Sequence, residues 1–168
     1  MQPQTKTLLA KVLKNKHFKL AVDLGVGEGF YSDVLKKHVD VLIGVDHDLA
    51  RLSVAKKTMG YDIVVLEEAQ KYEIPINTDA VFAFDFIEHL KEEEGRGLLQ
   101  KITWVPYTLL TTPTRMGIGP ITGIRNHHQS LWTEQKLQSL GFTTITYDVF
   151  PFSLIYGKEI MAIRQKLP

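Results

Sequence analysis

The sequence contains no cysteine, which excludes disulfide bonds, thiolate metal sites and a cysteine nucleophile. It also has no apolar run near the roughly 18 residues that a membrane-spanning helix requires. The N-terminal residues lack the charged-then-apolar layout of a secretory signal peptide. A formal net charge of +1 gives no strong overall attraction for nucleic acid. We therefore expect a soluble, cytoplasmic protein with no membrane segment and no strong indication of nucleic-acid binding.

The composition is that of a globular domain. Hydrophobic residues make up 44% of the chain and charged residues 23%, and the mean hydropathy is −0.07. The 168 residues contain no internal repeat, low-complexity tract or linker, so we expect one domain over residues 1–168. Five lysines and no acid lie within residues 1–20, and we interpret them as part of a solvated face. Contact of this basic segment with an anionic substrate is the alternative.

Short apolar runs alternate with segments of helical periodicity along the chain. This alternation predicts an α/β domain with a mostly parallel sheet covered by helices on both faces. The last two strands are too close in sequence for a crossover helix, so we expect them to pair antiparallel. The predicted strands are 19–24, 41–45, 62–66, 80–84, 108–112, 143–149 and 159–163, and the predicted helices are 5–15, 30–38, 49–59, 88–101 and 133–140.

A glycine-rich turn follows the first predicted strand, in the order Asp23-Leu24-Gly25-Val26-Gly27-Glu28-Gly29. Glycines permit positive φ angles and let a ligand approach the backbone, and the helix that follows favours an anionic group at its start. A dinucleotide-binding G-x-G-x-x-G pattern would need its third glycine at position 30, which is Phe30. A nicotinamide-dependent oxidoreductase is therefore not favoured, whereas an acidic residue followed by G-x-G-x-G is intact.

This turn resembles motif I of class I S-adenosylmethionine-dependent methyltransferases, and further matches follow in chain order. Asp46 ends the second strand, where that family places an acid that bonds both ribose hydroxyls. Glu68-Ala69 resembles the family's acidic-alanine pair beside the adenine, and residues 79–90 resemble its fourth strand and the following loop. The resemblance implies S-adenosyl-L-methionine as the cofactor and a three-layer Rossmann-like sandwich. It also implies a seven-stranded, mostly parallel sheet of order 3-2-1-4-5-7-6 with the last strand antiparallel.

The same resemblance implies a set of residues that bind the cofactor. The glycine turn is expected beneath the methionine carboxylate, where the helix dipole contributes, and Asp23 is expected beside the ammonium group. At the adenine we choose Glu68 over its neighbour Glu67. The predicted cofactor-binding residues are Asp23, Gly25, Gly27, Gly29, Asp46, Glu68 and Asp85.

Candidate catalytic side chains stand in two segments of the second half of the chain. Asp85, Glu88 and His89 are spaced i, i+3 and i+4, which places them on one face if the segment is helical. His128 precedes Trp132 by four residues in a long loop. We predict His128, His89 and Asp85 as catalytic residues. His128 is predicted as the base or as an acceptor-orienting group, because histidine titrates near working pH.

These two segments resemble those of two metal-dependent O-methyltransferase groups, one in ubiquinone biosynthesis and one that methylates the terminal ribose of small RNAs. Those groups have a glutamate where this chain has Asp85, whose shorter side chain reaches less far toward an ion. An Ile-Glu-His-Leu segment also occurs in family members that use no metal. We therefore predict no metal ligands, and a divalent metal ion is the alternative.

The predicted function is transfer of a methyl group from S-adenosylmethionine to an oxygen or nitrogen atom of a small molecule or a polymer end. The loop after the fourth strand lacks the Asn-Pro-Pro-aromatic signature of methyltransferases that act on base amines. Two alternatives are a non-catalytic SAM-binding regulatory module and a metal-dependent RNA-end 2'-O-methyltransferase. Segment 114–127 is long and has no clear period, so it is either a substrate lid or a plain loop. The sequence assigns no oligomeric state.

Overall fold

The computed structural model describes residues 3–57, 60–116, 128–149 and 157–166. The helices in these ranges are α1 (Pro3–Leu13), α2 (Ser32–Leu35), α3 (Leu49–Lys57), α4 (Glu92–Lys101) and α5 (Glu134–Ser139), and Ile87–His89 forms a short 3₁₀ helix. None of these helices has the length and apolar character needed to cross a membrane. The strands are β1 (Phe18–Leu24), β2 (Val39–Asp46), β3 (Ile63–Leu66), β4 (Ala80–Phe84), β5 (Tyr107–Pro113), β6 (Thr143–Tyr147) and β7 (Glu159–Gln165).

The strands form one seven-stranded sheet in the order β3-β2-β1-β4-β5-β7-β6, which confirms the predicted order. Strands β1 to β5 pair in parallel, whereas β7 is antiparallel to both of its neighbours, β5 and β6. The chain between β6 and β7 is shorter than the roughly dozen residues or more that a parallel crossover needs. The antiparallel pairing of the last two strands is therefore confirmed, together with its physical reason.

Alternate residues of the central strands pack into two apolar layers, one on each face of the sheet. In β4, the residues Ala80, Phe82 and Phe84 belong to one layer, and Val81 and Ala83 belong to the other. Apolar residues of α1 and α2 cover the first layer, and those of α4 and α5 cover the second. Every residue of β4 and β5 is buried, as expected for strands covered on both faces. The predicted three-layer α/β architecture is confirmed.

Helix α2 is shorter than the helix predicted over residues 30–38. It spans only Ser32–Leu35, because β2 begins at Val39, two residues before its predicted start, and leaves little chain for a longer helix. On its other side the glycine turn extends to Gly29, whose φ of 79° is incompatible with a right-handed helix. The glycine turn therefore leads into a single helical turn.

The helix predicted over residues 88–101 is interrupted at Lys91. This residue has a φ of −60° and a ψ of 151°, which are extended values. Its backbone N–H donates a hydrogen bond to Oε2 of Glu94 at 3.0 Å, and this contact caps the start of α4. The interruption leaves Glu88 and His89 in the separate 3₁₀ helix, directly after β4.

Candidate active site

Two adjacent cavities open at the edge of the sheet where the parallel strands end. Cavity A has a volume of about 500 Å³ and is lined by the glycine turn and by residues of several other elements, including Asp23, Tyr31, Tyr61, Phe84 and Asp85. Cavity B has a volume of about 400 Å³, and its lining includes Asp46, Glu68, Ala69, Phe86 and His89. Both cavities border Gly25. Ligands of open α/β sheets bind at this edge, so cavities A and B together form the candidate active site.

The glycine turn between β1 and α2 has a backbone that only glycine adopts easily. Gly25, Gly27 and Gly29 have φ angles of 70°, 53° and 79°, in a region that costs other residues roughly 1–2 kcal/mol each. A Cβ atom on Gly25 would collide with the ring of Phe86, and one on Gly29 would lie 3.1 Å from the Cα of Ala55. The turn therefore presents bare backbone to both cavities, as its G-x-G-x-G pattern predicts.

Asp46, the last residue of β2, holds this turn in place. Its Oδ2 accepts a hydrogen bond from the backbone N–H of Gly27 at 2.7 Å, and its Oδ1 accepts one from that of Asp48 at 2.8 Å. Asp46 is buried and lines cavity B. A carboxylate offers about four lone-pair sites, so each oxygen keeps acceptor capacity for a ligand. The structure thus places Asp46 beside the glycine turn, where the sequence predicted it.

Asp23 lies in the wall of cavity A and is only 2% exposed. The hydroxyl of Tyr61 donates a hydrogen bond to its Oδ2 at 2.8 Å. Burial raises the pKa of Asp23 to about 7; the Tyr61 hydrogen bond opposes this rise, and the negative charge of Asp46 adds to it. The carboxyl group therefore changes its charge near neutral pH, inside the candidate site.

Tyr61 is a site residue that the sequence reasoning missed. It reaches Asp23 because Gly44, in the interior of β2, leaves room for its ring: a Cβ atom on Gly44 would lie 2.8 Å from Cδ1 of Tyr61. A glycine inside a strand often marks the close approach of another group. Gly44 was therefore a signal that something packs there, although the sequence does not say which residue does.

Glu68 lies at the rim of cavity B beside the buried Ala69. Its side chain is half exposed, and its Oε1 accepts a hydrogen bond from Nζ of Lys71 at 2.8 Å. The neighbouring Glu67 lines neither cavity A nor cavity B, and its Oε1 accepts a hydrogen bond from the backbone N–H of Glu68 at 2.9 Å. Of the two acids, Glu68 is therefore the one that borders cavity B.

Asp85 directly follows β4 and has a φ of 49°, which is uncommon for a residue other than glycine. Thr111 Oγ1 donates to its Oδ1 at 2.7 Å and the hydroxyl of Tyr31 donates to its Oδ2 at 3.0 Å. Burial raises the pKa of Asp85 despite these hydrogen bonds. The expectation that Asp85 shares a helical face with Glu88 and His89 is wrong, because this left-handed residue precedes the 3₁₀ helix and lines cavity A instead.

Glu88, His89 and His128 lie together, although they come from two distant segments. The atoms through which they could bind a metal all lie within 4.8 Å of one another. The rings of His89 and His128 meet edge to face, with their centres 4.9 Å apart. Glu88 is 2% exposed, and its Oε2 has no hydrogen-bond partner within the described residues. The structure therefore brings side chains of the two predicted segments into one cluster, and Asp85 is not part of this cluster.

Trp132 anchors the segment that carries His128. Its side chain is fully buried, and its Nε1 donates hydrogen bonds to the hydroxyl of Ser130 at 2.9 Å and to the carbonyl of Ile87 at 3.3 Å. The backbone N–H of Ser130 in turn donates to the carbonyl of Glu88 at 3.2 Å. These contacts hold the segment against the 3₁₀ helix.

The acid–base properties of His128 differ from the expectation. Burial, with the neighbouring charge of His89, lowers the pKa of His128 to about 4. The expectation that His128 titrates near working pH is wrong, because a pKa of about 6.5 is typical of a solvent-exposed imidazole and His128 is partly buried. Burial and then the negative charge of Asp85 raise the pKa of Glu88 well above its ordinary value. His128 is thus neutral at physiological pH, which makes it a weak base but leaves it able to accept a hydrogen bond or bind a metal.

Most of the segment considered as a lid, residues 114–127, lies outside the described residues, which end at 116 and resume at 128. Its first residue, Thr114, still pairs with the chain before β7: its backbone N–H donates to the carbonyl of Lys158 at 2.8 Å. Its hydroxyl accepts a hydrogen bond from the backbone N–H of Lys158 at 2.9 Å. The pairing of β5 with β7 therefore continues one residue into this segment.

A family model described as a methyltransferase domain matches residues 22–105, which are 84 of the 168 residues. The match begins within β1 and ends before β5. It therefore includes the glycine turn, Asp46, Glu68 and Asp85, but not His128. None of the curated protein sequences compared with the chain is significantly similar to it.

Several solved structures share this fold. The small RNA methyltransferase HEN1 has a TM-score of 0.74 and 17% identity over 98% of this chain, which spans only 25% of HEN1. The methyltransferase domain of the bacterial CtHen1-CN has a TM-score of 0.68 and 20% identity, over 97% of this chain and 98% of that one. The N-methyltransferase NodS from Bradyrhizobium japonicum, solved with S-adenosylhomocysteine, has a TM-score of 0.76 and 13% identity, over 98% and 87% of the two chains. At these identities the likeness establishes a common fold.

Proposed function

This chain belongs to the class I S-adenosylmethionine-dependent methyltransferase family, and we propose that it methylates an oxygen or nitrogen atom of a small molecule or a polymer end. Methyl transfer from S-adenosylmethionine is the activity of the family, and the class of acceptor is the proposed part. One observation supports methyl transfer by this chain: cavities A and B meet at the glycine turn, and each offers a buried carboxylate to a cofactor that spans both.

The residues of both cavities fit the cofactor. In cavity A, the bare backbone of Gly25–Gly29 suits the methionine carboxylate, and ionised Asp23 suits the ammonium group. In cavity B, Asp46 has acceptor capacity for the two ribose hydroxyls, and Glu68 and Ala69 are placed to flank the adenine. When bound, the cofactor supplies an electrophilic methyl group on a sulfonium sulfur. The acceptor atom attacks the methyl carbon in line, and the sulfur is the leaving group.

Asp85 and Tyr31 are the polar groups of cavity A that we expect to position the acceptor. They line the cavity and share a hydrogen bond of 3.0 Å. Burial and the negative charge of Asp85 raise the pKa of Tyr31, so its hydroxyl remains a donor. Two hydroxyl donors hold the Asp85 carboxylate in one orientation. Correct orientation of reactants can contribute up to roughly 7–11 kcal/mol to a displacement reaction, so a rigid pair of this kind matters even without proton transfer.

A second candidate function is metal-assisted methylation of a hydroxyl group. The cluster of Glu88, His89 and His128 favours it, because one carboxylate and two imidazoles within 4.8 Å form a ligand set that divalent transition metals accept. The low pKa of His128 keeps its imidazole in the neutral, metal-binding form. These three residues would hold the ion, whose positive charge would make an acceptor hydroxyl easier to deprotonate.

Cofactor binding is the first test of the proposed function. We expect the protein to bind S-adenosylhomocysteine and not NAD in calorimetric titrations. We expect Asp46→Asn to weaken binding of S-adenosylhomocysteine at least about tenfold, because a hydrogen bond to a charged group contributes roughly 1.5–3 kcal/mol. Asp48→Asn is the matched control, since it makes the same chemical change in a side chain that lines neither cavity. Equal losses in both variants, or no binding by the natural protein, would contradict the proposal.

Turnover of His128→Asn is the second test. The acceptor is first identified by incubating the natural protein and labelled S-adenosylmethionine with extract fractions, and turnover is then measured with that acceptor. We expect turnover to fall about 10²-fold, because the variant removes either a metal ligand or a group that orients the acceptor. Affinity for S-adenosylhomocysteine should be retained, because His128 lines neither cavity A nor cavity B. His17→Asn, which alters an exposed histidine at the opposite edge of the sheet, serves as the control.

The response of the natural protein to excess EDTA then separates the two candidate functions. Full activity in EDTA excludes the metal-assisted reaction and leaves orientation of the acceptor as the role of His128. Activity that is lost in EDTA and restored by Mg²⁺ or Mn²⁺ indicates the metal-assisted reaction. Near-normal turnover of His128→Asn would be inconsistent with the metal-assisted reaction and with any role of His128 at the acceptor.

A further inference from the structure

A third cavity, cavity C, lies at the opposite edge of the sheet from cavities A and B. Its volume of about 500 Å³ equals that of cavity A. Phe18 and Tyr107, the first residues of the parallel strands β1 and β5, line it together with Gln165, the last residue of the antiparallel β7. Cavity C therefore lies where the parallel strands begin, away from the edge that binds the cofactor.

The charged side chains that line cavity C are mostly basic. Lys16, Lys19 and Lys166 line it, and none of the three forms an ion pair with a carboxylate within the described residues. Nζ of Lys16 donates a hydrogen bond to the neutral Oε1 of Gln165 at 3.0 Å. Asp79 is the one acid of the lining, and its Oδ2 already accepts hydrogen bonds from the backbone N–H groups of Lys19 at 2.7 Å and of the next residue at 3.1 Å. The positive charges of the cavity are thus largely uncompensated.

Tyr107 adds a buried hydrogen-bond donor to this lining. It is 2% exposed, and its hydroxyl has no hydrogen-bond partner within the described residues. Nζ of Lys16 lies 4.9 Å from the centre of its ring, so the ammonium group and the phenol belong to the same wall. Burial raises the pKa of Tyr107 to about 12, and the hydroxyl therefore stays protonated. An unpaired buried hydroxyl costs free energy, which an acceptor bound in cavity C would recover.

The lysines of the basic segment, residues 1–20, lie at different places in the folded protein. Nζ of Lys6 pairs with Asp33 at 2.7 Å and lies over the ring of Phe30, which borders cavity A. Lys16 and Lys19 lie instead at cavity C. These two lysines are therefore not placed to contact a methyl acceptor in cavity A.

We propose that cavity C binds a ligand with two or more adjacent phosphate groups, independently of the methyl-transfer site. Three ammonium groups match the several charges of a diphosphate better than the single charge of a carboxylate, and the phenol and amide of the wall add neutral contacts. The volume is within the range of small-ligand sites, about 300–1,000 Å³. A free polyphosphate and a nucleic-acid strand both present this chemistry.

The test is a titration of the full chain with pyrophosphate, and separately with a single-stranded oligouridylate, at low salt. We expect Lys16→Gln/Lys166→Gln to weaken pyrophosphate binding at least about tenfold, because two of three cationic contacts are removed. Lys56→Gln/Lys57→Gln is the matched control: it removes the same charge at the end of α3, outside cavities A, B and C. We expect the control to bind pyrophosphate as the natural protein does.

Tyr107→Phe gives a second, independent measurement. It removes only the hydroxyl, so we expect weaker pyrophosphate binding together with a folded state at least as stable as that of the natural protein. A purely structural role for this hydroxyl would instead lower stability. Unchanged pyrophosphate binding in Tyr107→Phe would show that the hydroxyl is not part of the site.

Failure of the natural protein to bind either probe, or equal weakening in both lysine double variants, would overturn the proposal. Binding of the oligouridylate that weakens in Lys16→Gln/Lys166→Gln and falls steeply with added salt would identify a nucleic-acid strand as the source of the phosphates. Binding of pyrophosphate alone would identify a free polyphosphate. S-adenosylhomocysteine is titrated into the same samples, so a failure of the methyl-transfer site is seen separately from a failure of cavity C.

Discussion

Asp23→Asn is expected to stabilise the folded protein at pH 8 and to weaken its binding of S-adenosylhomocysteine. Asp23 is 2% exposed, and burial raises its pKa to about 7. At pH 8 the folded protein without cofactor therefore holds a buried carboxylate in its less favoured, charged form. Asparagine has nearly the same shape, carries no charge and still accepts the hydrogen bond of Tyr61. The proposed partner of the cofactor's ammonium group, however, loses its negative charge.

The effect of Asp23 on stability has a defined pH window. The pKa of an aspartate in an unfolded chain is about 3.9. Below that value Asp23 is protonated in both states and leaves the free energy of unfolding unchanged. As the pH rises from there to about 7, the unfolded chain ionises first, so the natural protein loses stability through this window and recovers none above it. At roughly 1.4 kcal/mol for each unit of pKa difference, the loss at pH 8 is at most about 4 kcal/mol.

Urea unfolding at pH 5 and pH 8 measures this loss directly. We expect Asp23→Asn to be more stable than the natural protein by roughly 2–4 kcal/mol at pH 8, with a smaller difference at pH 5. Asp48→Asn is the control, because hydrogen bonds from the backbone N–H groups of Arg51 and Ala50 lower the pKa of this exposed acid. Its replacement should give no stabilisation.

Affinity for S-adenosylhomocysteine should depend on pH in the opposite sense to stability. In its proposed role Asp23 binds the ammonium group in the ionised form, so the affinity of the natural protein should fall as the pH drops below about 7. The affinity of Asp23→Asn should be lower at pH 8 and nearly independent of pH in this range. A variant that is less stable than the natural protein at pH 8, or that binds S-adenosylhomocysteine equally well, would show that Asp23 does not have this role.

Trp132→Ala is expected to cost roughly 3–5 kcal/mol of stability, the range observed when a large aromatic side chain is removed from a core. Trp132 is fully buried and packs so closely on Gly95 of α4 that a Cβ there would lie 2.5 Å from its ring. Its Nε1 also bonds Ser130 and the carbonyl of Ile87. Without this anchor the segment of His128 loses its contact with the 3₁₀ helix, so we expect the pKa of His128 to rise toward the ordinary value for histidine.

Urea unfolding and an NMR titration of the histidines check both parts of this prediction. Trp104→Ala is the matched control, since Trp104 is only partly buried against the same core cluster. It should cost less stability and leave the pKa of His128 near 4. Trp132→Phe retains most of the buried ring and loses the Nε1 donor, so its stability should lie between those of the natural protein and Trp132→Ala. It should remain folded even if the alanine variant does not. Equal losses in the two alanine variants would mean that Trp132 is not a special anchor.

The architecture of the sheet and the position of the glycine turn could be predicted because they depend on local patterns. Apolar runs alternate with amphipathic segments, and the short chain between the last two strands leaves only antiparallel pairing. Gly25, Gly27 and Gly29 stand where the backbone requires positive φ, a property of the residues themselves. The family resemblance predicted the place of Asp46, and the parallel pairing of β1 with β2 brings the end of β2 to the glycine turn.

The contents of the candidate site were less predictable. Tyr31 and Tyr61 donate hydrogen bonds to acids that lie far from them in sequence. The spacing of Asp85, Glu88 and His89 suggested a common helical face, but the left-handed conformation of Asp85 and the 3₁₀ helix after it separate Asp85 from the other two. Side-chain spacing predicts a common face only when the backbone conformation is already known.

The sequence by itself determined the fold class, through hydrophobic periodicity and connection length, and the position of the glycine turn, whereas the strand order came from the family resemblance. Only the tertiary structure decided which side chains meet and how they titrate. Burial gives Asp23 a pKa of about 7 and His128 one of about 4, and the packing of Trp132 brings His128 to Glu88. The physical reason is that desolvation and contact depend on residues distant in the chain, whose arrangement exists only in the folded protein.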